Sequence, residues 1–286
     1  HQENHTELLW VFEGFTSYYD DLLLVRAGLI SVTEYLGLLA QTITRHTKTL
    51  GRFKQSVTES SFDAWTKYYK QDENTPNSVV SYYVKGALIA LCIDLKMRQL
   101  SHNSVSLDTV MRQLWQEYGK TGQGIKNDTV QGLCQALLSE DLSEFWQLCL
   151  YSTQELPFAE LLQAQGVEIE YKYDNLATKA SASLGVRGQM NDGSFQLQNV
   201  WTGGAAEAAG LSAGDVLVAF DGLKVTAQLE KTVSSYAIGT KVEIHFFRRD
   251  ELMKTQIVLL ASQAEVCGLL VKEENQALVK RWMLNL

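Results

Sequence analysis

The chain has 286 residues, enough for two domains at roughly 150 residues each, and its 45% hydrophobic and 20% charged content excludes a disordered or low-complexity chain. Its 25 Lys+Arg against 33 Asp+Glu leave a net charge of −8, a poor match for a nucleic-acid backbone or an anionic membrane, so neither is expected as a partner. The most apolar run, Ala87 to Ile93, gives way to Asp94 and Lys96, so no stretch of about 18 residues reads as a membrane span.

From Glu7 to Val25, Leu8, Val11, Phe12, Phe15, Tyr18, Leu22 and Val25 recur at helical spacing, and Gly28 ends the helix. Ser31 and Glu34 have the spacing of a capping box and open a helix from Val32 to about His46. Thr47 to Ser61 reads as a polar connection, followed by a short helix near Phe62 to Lys70 and a loop at Asp72 to Asn77. Ser78 to Leu100 reads as a long helix, and Ser106 caps another that runs to Tyr118. Gly119 to Gly124 is a loop. Asn127/Asp128 caps a helix to Leu138, Asp141 one to Tyr151, and Pro157 opens one that ends at Gly166.

At Gly166 the period changes from helical to alternating. Val167 to Tyr173, Phe195 to Val200 and Lys241 to Phe246 alternate apolar and polar residues, as half-buried strands do. Gln256 to Leu260 is a further strand, Arg248-Arg249-Asp250 a hairpin turn, and Glu273 to Trp282 a terminal helix. The expected architecture is α+β and multidomain: an all-α helical part over 1–165, a β-rich module over 166–262, and a helical tail over 263–286.

Cys92, Cys134, Cys149 and Cys267 are widely spaced and form no C-x-x-C pair. They read as reduced, buried thiols, which points to the cytoplasm, with the periplasm as the alternative. The chain opens on His1 rather than Met and soon enters an apolar, aromatic run with no basic segment before it. It reads as a fragment of a longer protein.

Three patterns carry chemistry. In Trp10-Val11-Phe12-Glu13-Gly14-Phe15-Thr16-Ser17-Tyr18-Tyr19, a carboxylate sits in an apolar, aromatic helix. Burial of an unpaired charge is costly, so Glu13 needs either a basic partner or a metal. Next, Tyr82-Tyr83-Val84-Lys85-Gly86-Ala87 sets two phenols beside a lysine and a glycine that allows close helix packing. Finally, in Gly210-Leu211-Ser212-Ala213-Gly214-Asp215-Val216-Leu217-Val218-Ala219-Phe220-Asp221-Gly222, Gly210 is a natural helix C′ cap after Ala205–Ala209 and Asp221-Gly222 is a tight-turn pair. Other constellations are weak. No G-x-S-x-G occurs, and Gly122-Gln123-Gly124 lacks the Lys-Ser/Thr of a phosphate loop. Lys48, Arg52 and Lys54 read as a solvated basic face.

The Gly210–Gly222 segment resembles the signature of bacterial PDZ domains, which bind an extended peptide as an added strand and capture its C-terminal carboxylate on backbone amides. The resemblance places that capture at Ser183-Leu184-Gly185-Val186. Leu184 and Val186 would line the pocket, faced by Leu229 and Val233 from the helix over Thr226 to Tyr236. The Glu13 segment resembles the third-ligand motif W-x-x-E-G-x-x-x-Y of gluzincin metallopeptidases. With a PDZ-like module behind it, the whole chain is similar to the glycyl-aminopeptidase-like gluzincins that carry a C-terminal PDZ domain.

That resemblance implies a zinc aminopeptidase acting on peptides with small N-terminal residues such as Gly or Ala. Glu13 would be the carboxylate ligand of a His₂Glu zinc site. Tyr83, matching a Y-x-K-G element, would stabilise the oxyanion, with Tyr82 as its competitor. The two histidines and the general-base glutamate of an H-E-x-x-H helix do not occur in the sequence. His1-Gln2-Glu3-Asn4-His5 has the histidine spacing but Gln where the base should be, and it lies too close to Glu13. His46, His102 and His245 are isolated. The expectation is therefore a C-terminal fragment that binds no zinc at its native site and is inactive alone. The alternative is a catalytically dead relative whose PDZ-like groove binds C-terminal peptides.

Overall fold

The structure, a computed structural model, describes residues 3–174 and 177–284. In chain order, α1 (Leu9–Arg26) and α2 (Val32–Thr47) lead through a 3-10 turn (Leu50–Phe53) to α3 (Val57–Phe62) and a wide, π-type turn (Ala64–Tyr68). There follow α4 (Thr75–Ser78), α5 (Tyr82–Leu100), α6 (Leu107–Leu114), α7 (Thr129–Leu138), α8 (Ser143–Trp146), α9 (Phe158–Ala164) and β1 (Val167–Lys172). The β-rich part runs β2 (Ala182–Ser183), β3 (Val186–Asn191), β4 (Ser194–Val200), α10 (Ala205–Ala208), β5 (Val216–Phe220), β6 (Leu223–Lys224), α11 (Leu229–Ser234), β7 (Lys241–Arg248), β8 (Glu251–Val258) and β9 (Leu260–Ala261). β10 (Val266–Val271) and α12 (Gln276–Leu284) close the chain. Two units result: one from His1–Lys70, Val79–Tyr171 and Cys267–Leu286, the other from Gln71–Ser78 and Lys172–Val266.

The helical unit is organised on α5. Leu88, Ile89, Leu91, Ile93 and Leu95 are all buried, and a helix apolar on every side belongs inside a core. The stretch Thr75–Leu100, which contains α4 and α5, is in fact long and apolar enough to pass as a membrane span, contrary to expectation, but 78% of its most apolar part is buried within the fold. Asp94, taken as an interruption, is itself buried. It accepts hydrogen bonds from Tyr18 Oη (2.9 Å), Arg98 Nε (3.1 Å) and the Leu107 amide (2.9 Å), which compensate its charge. The Ser31–Glu34 capping box forms in full. A second, Ser56–Glu59, opens α3 inside the stretch read as a polar connection. α5 starts at Tyr82 rather than Ser78. The chain just before it is held extended by tertiary hydrogen bonds, from the Val80 amide to Gln55 Oε1 and from Ser60 Oγ to the Val80 carbonyl.

The period change at Gly166 does not coincide with the unit boundary. β1 pairs with β10, and Val167 and Cys267 enter the helical core with Val279, Trp282 and Met283 of α12. The tail read as helical thus begins with a strand, whose Val-Cys-Gly-Leu-Leu-Val sequence does not alternate and gave no strand signal. All four cysteines are free and buried.

The second unit is an antiparallel sheet in the order β3-β4-β5-β7-β8, with β6 on β5 and a separate β2–β9 pair. Leu197, Leu217, Phe220, Val242, Ile244 and Ile257 point from it into one apolar core. Gly210 takes φ +77° at the end of α10, and Asp221 and Gly222 both have positive φ, as a tight hairpin turn between β5 and β6 requires. Asp215 is buried in the turn before β5. Its carboxylate caps the Ser212 amide (2.8 Å) and receives Arg248 through both Nε and Nη2 (2.8 Å each). The segment before α5 also contributes here. Asn77 donates to the Val200 carbonyl (2.8 Å) and accepts from the Thr202 amide (3.1 Å), so residues read as a free loop are part of this unit.

Candidate functional site

α1 and α5 cross at two glycines. A Cβ on Gly14 would lie 2.5 Å from the Gly86 carbonyl carbon, and one on Gly86 would lie 2.8 Å from the Trp10 carbonyl oxygen. This approach brings Glu13, the neighbour of Gly14, to the same end of the crossing as Tyr83, one turn before Gly86. The flanking motif residues anchor α1 from beneath: the Trp10 amide donates to Ser61 Oγ (3.1 Å) and Tyr18 Oη reaches Asp94. Trp10 and Tyr18 are buried while Glu13 is left half-buried. Its carboxylate makes no hydrogen bond or ion pair with any described residue, so the basic partner allowed for it is not found among them.

The two phenols differ sharply. Tyr82 is 0% exposed and donates its proton to Tyr69 Oη at 2.9 Å. Tyr83 is half-buried and stacks on Tyr82 with ring centroids 4.7 Å apart. Burial first, then hydrogen bonding with Tyr69 and the nearby Glu13 charge, push the Tyr83 phenol up to about 12. It therefore stays a neutral O–H donor throughout the physiological range. Lys85 of the same element is buried, with Nζ 3.4 Å from the Ser152 carbonyl, and burial pushes it down to about 8. Sequence reasoning passed over Tyr69, placing it in a short helix. The signal was there: Trp65, Tyr68 and Tyr69 are more aromatic surface than one buried helical face can take.

The remaining donors do not assemble. Among the described residues no three His, Cys, Asp or Glu side chains stand close enough to share a metal ion. His1 lies outside the described residues, and His5 Nδ1 stands 3.0 Å from the Phe62 carbonyl. His46 is buried and its imidazole is pushed down to about 3, by burial first and then by Lys85 and Arg52. His245 faces Glu243 (3.5 Å) on β7. Among the described residues Glu13 is half-buried and without an ion pair, so it could serve as a single anionic donor.

In the second unit, Leu184, Leu229 and Val233 gather in one cluster, but buried: Leu229 is 3% and Val233 2% exposed. A peptide side chain would reach them only by parting them. Gly185 has φ +70°, its amide donates to Ser183 Oγ (3.1 Å), and its carbonyl accepts from the Trp201 amide (2.9 Å). Val186 is half-buried and begins β3, an edge strand whose one partner among the described residues is β4, so its other side can take an added strand.

Residues 1–89 match the M61 glycyl aminopeptidase family, and residues 182–259 match the PDZ domain. The structure is similar to that of an aminopeptidase N family protein from Idiomarina loihiensis, at 39% identity and a TM-score of 0.91 over 99% of this chain. The chain spans about half of that protein, 49% of its length. A serine endoprotease from Yersinia pestis also aligns, over 29% of this chain and 29% of its own at 18% identity, but at a TM-score of 0.26 the likeness carries no weight. No curated protein matches the sequence.

Proposed function

Since this chain joins a segment of the M61 glycyl aminopeptidase family to a PDZ domain, we propose that it is the C-terminal part of a zinc-dependent aminopeptidase. The observation that carries the reading is the Gly14–Gly86 crossing, which sets an unpartnered carboxylate, Glu13, beside a neutral phenol, Tyr83. Glu13 supplies one anionic donor to the metal, and the two histidines and the general base of H-E-x-x-H stand outside these 286 residues. Zinc, when bound, supplies a Lewis acid for the scissile carbonyl and acidifies a water. The part played by this chain's own residues is simple. Glu13 holds its carboxylate ready because no cation competes for it. Tyr83 donates its O–H to the carbonyl oxygen as negative charge develops there, and its high pKa keeps that proton in place while the Glu13 charge stands nearby. Substrates are peptides with a small N-terminal residue such as Gly or Ala. The PDZ domain takes a peptide C-terminus along the open edge of β3, from a substrate or a partner.

The test is Tyr83→Phe in the full-length enzyme. Loss of one oxyanion donor should lower kcat by about 100- to 1000-fold with KM nearly unchanged. An unaffected kcat contradicts the role. The 286-residue chain itself should show no chelator-sensitive peptidase activity, because Glu13 alone cannot hold the metal.

A second reading, a peptide-binding protein without catalysis, draws on the open β3 edge. Binding of C-terminal peptides by a full-length protein that lacks hydrolysis would favour it.

A further inference from the structure

The wide turn after α3 has no counterpart in the residues assigned so far. Ala64–Tyr68 closes through the Tyr69 amide on the Ala64 carbonyl (2.9 Å), a π-type geometry that the helical unit also shows at Trp115–Gly119 and Gln147–Tyr151. It turns a set of aromatic rings toward the start of α5. Tyr68 lies 4.9 Å from the Tyr82 ring and 6.0 Å from Tyr83, and Trp65 lies 5.4 Å from Tyr69. Because Tyr82 donates to Tyr69 Oη at 2.9 Å, the Tyr69 oxygen is fixed from the buried side while its own proton is free for another acceptor. Tyr69 is 53% exposed, so that acceptor can come from outside the protein. A hydroxyl that accepts a hydrogen bond becomes a better donor, since the chain of bonds polarises.

We propose that Tyr69 is a second phenol donor at the oxyanion end of this site, held by Tyr82 and presenting its proton beside Tyr83. Its ligand is the tetrahedral oxyanion of a peptide under hydrolysis, or a phosphinic peptide that mimics it. The inference rests on the peptidase reading above. Two phenols converging on one oxyanion would share the developing charge, and the buried Tyr82 would act as a positioning residue for the second.

The experiment compares Tyr69→Phe, Tyr82→Phe and Tyr83→Phe in the full-length enzyme, with kcat and KM on a glycyl or alanyl substrate and Kd for a phosphinic dipeptide analogue. Tyr69→Phe should lower kcat by about 10- to 100-fold, weaken the phosphinate comparably, and leave KM within about twofold. Tyr82→Phe should give a smaller fall of the same kind. If Tyr83→Phe loses both quantities and Tyr69→Phe keeps both within about twofold, the Tyr69 inference fails and the peptidase reading stands. If Tyr83→Phe also keeps both, the two fall together. A separate readout needs no activity. In the 286-residue chain labelled with carbon-13 at the tyrosine ζ carbons, Tyr82→Phe should shift the Tyr69 ζ-carbon resonance, because it removes the 2.9 Å hydrogen bond that Tyr82 donates to Tyr69 Oη. An unmoved resonance contradicts the contact on which the inference depends.

Discussion

Gly14 and Gly86 meet backbone to backbone: a Cβ on Gly14 would stand 2.5 Å from the Gly86 carbonyl carbon, and one on Gly86 would stand 2.9 Å from the Gly14 Cα. Both neighbours are main chain, so no rotamer change relieves either clash. Gly14→Ala or Gly86→Ala must push α1 and α5 apart, at a cost of about 1–3 kcal/mol by overpacking. Because Glu13 and Tyr83 flank the two glycines, the same shift separates them. Chemical denaturation of the 286-residue chain checks the stability loss. An unchanged midpoint for Gly86→Ala would show that the helices are not packed this tightly.

Acid should destabilise the helical unit through His46. Burial, with Lys85 and Arg52 nearby, pushes its folded pKa down to about 3, while the unfolded imidazole titrates near 6.5. Glu155 lies 3.9 Å from Nε2, but its exposed carboxylate is bonded to Arg52 Nε at 3.0 Å and does not hold a proton on the ring. Between the two pKa values the unfolded chain binds the extra proton. Stability from neutral His46 is therefore complete above about pH 6.5 and falls toward pH 3, with a slope of about 1.4 kcal/mol per unit. His46→Gln should flatten that slope between about pH 6 and about pH 4. Parallel acid profiles for the two proteins would refute the assignment.

The β module depends on one ion pair. Asp215 is buried and takes Arg248 through two 2.8 Å hydrogen bonds, while Arg248 Nη2 also donates to the Gly210 carbonyl (2.7 Å). Asp215→Ala removes the carboxylate that ties the turn before β5 to the end of β7, and leaves the Ser212 amide without its acceptor. The expected loss is about 3 kcal/mol, somewhat discounted because Arg248 can turn to water. A proteolysis time course should show residues 172–266 cut before the helical unit. Resistance equal to wild type would place the stabilising weight elsewhere.

Local signals were legible wherever they were self-contained. The Ser31–Glu34 box, the Gly210 cap and the Asp221-Gly222 turn depend on residues within a few positions of one another, and all three form. Glu13 stood out as a charge among aromatics, and Gly86 as a site of close packing. What sequence could not show was pairing across distance. β1 alternates as a strand should, yet its partner is β10, about a hundred residues on in a non-alternating segment. Asn77 reads as loop because its partners, Val200 and Thr202, are equally remote. Tyr82 and Tyr83 were adjacent competitors on paper. The Y-x-K-G spacing favours Tyr83, but only the helix shows their different surroundings, one sealed against Tyr69 and the other beside Glu13. Leu184, Leu229 and Val233, read as lining a PDZ groove, share one cluster, but their burial, with Val233 only 2% exposed, follows from packing and not from pattern.

The central claim is that Glu13 is a metal ligand, and zinc content tests it most directly. The full-length enzyme and its Glu13→Gln variant would be dialysed against metal-free buffer and their bound zinc measured. The account predicts about one zinc per wild-type chain, and little or none in the variant, with peptidase activity lost in parallel. A Glu13→Gln enzyme that keeps its zinc and its turnover would contradict it.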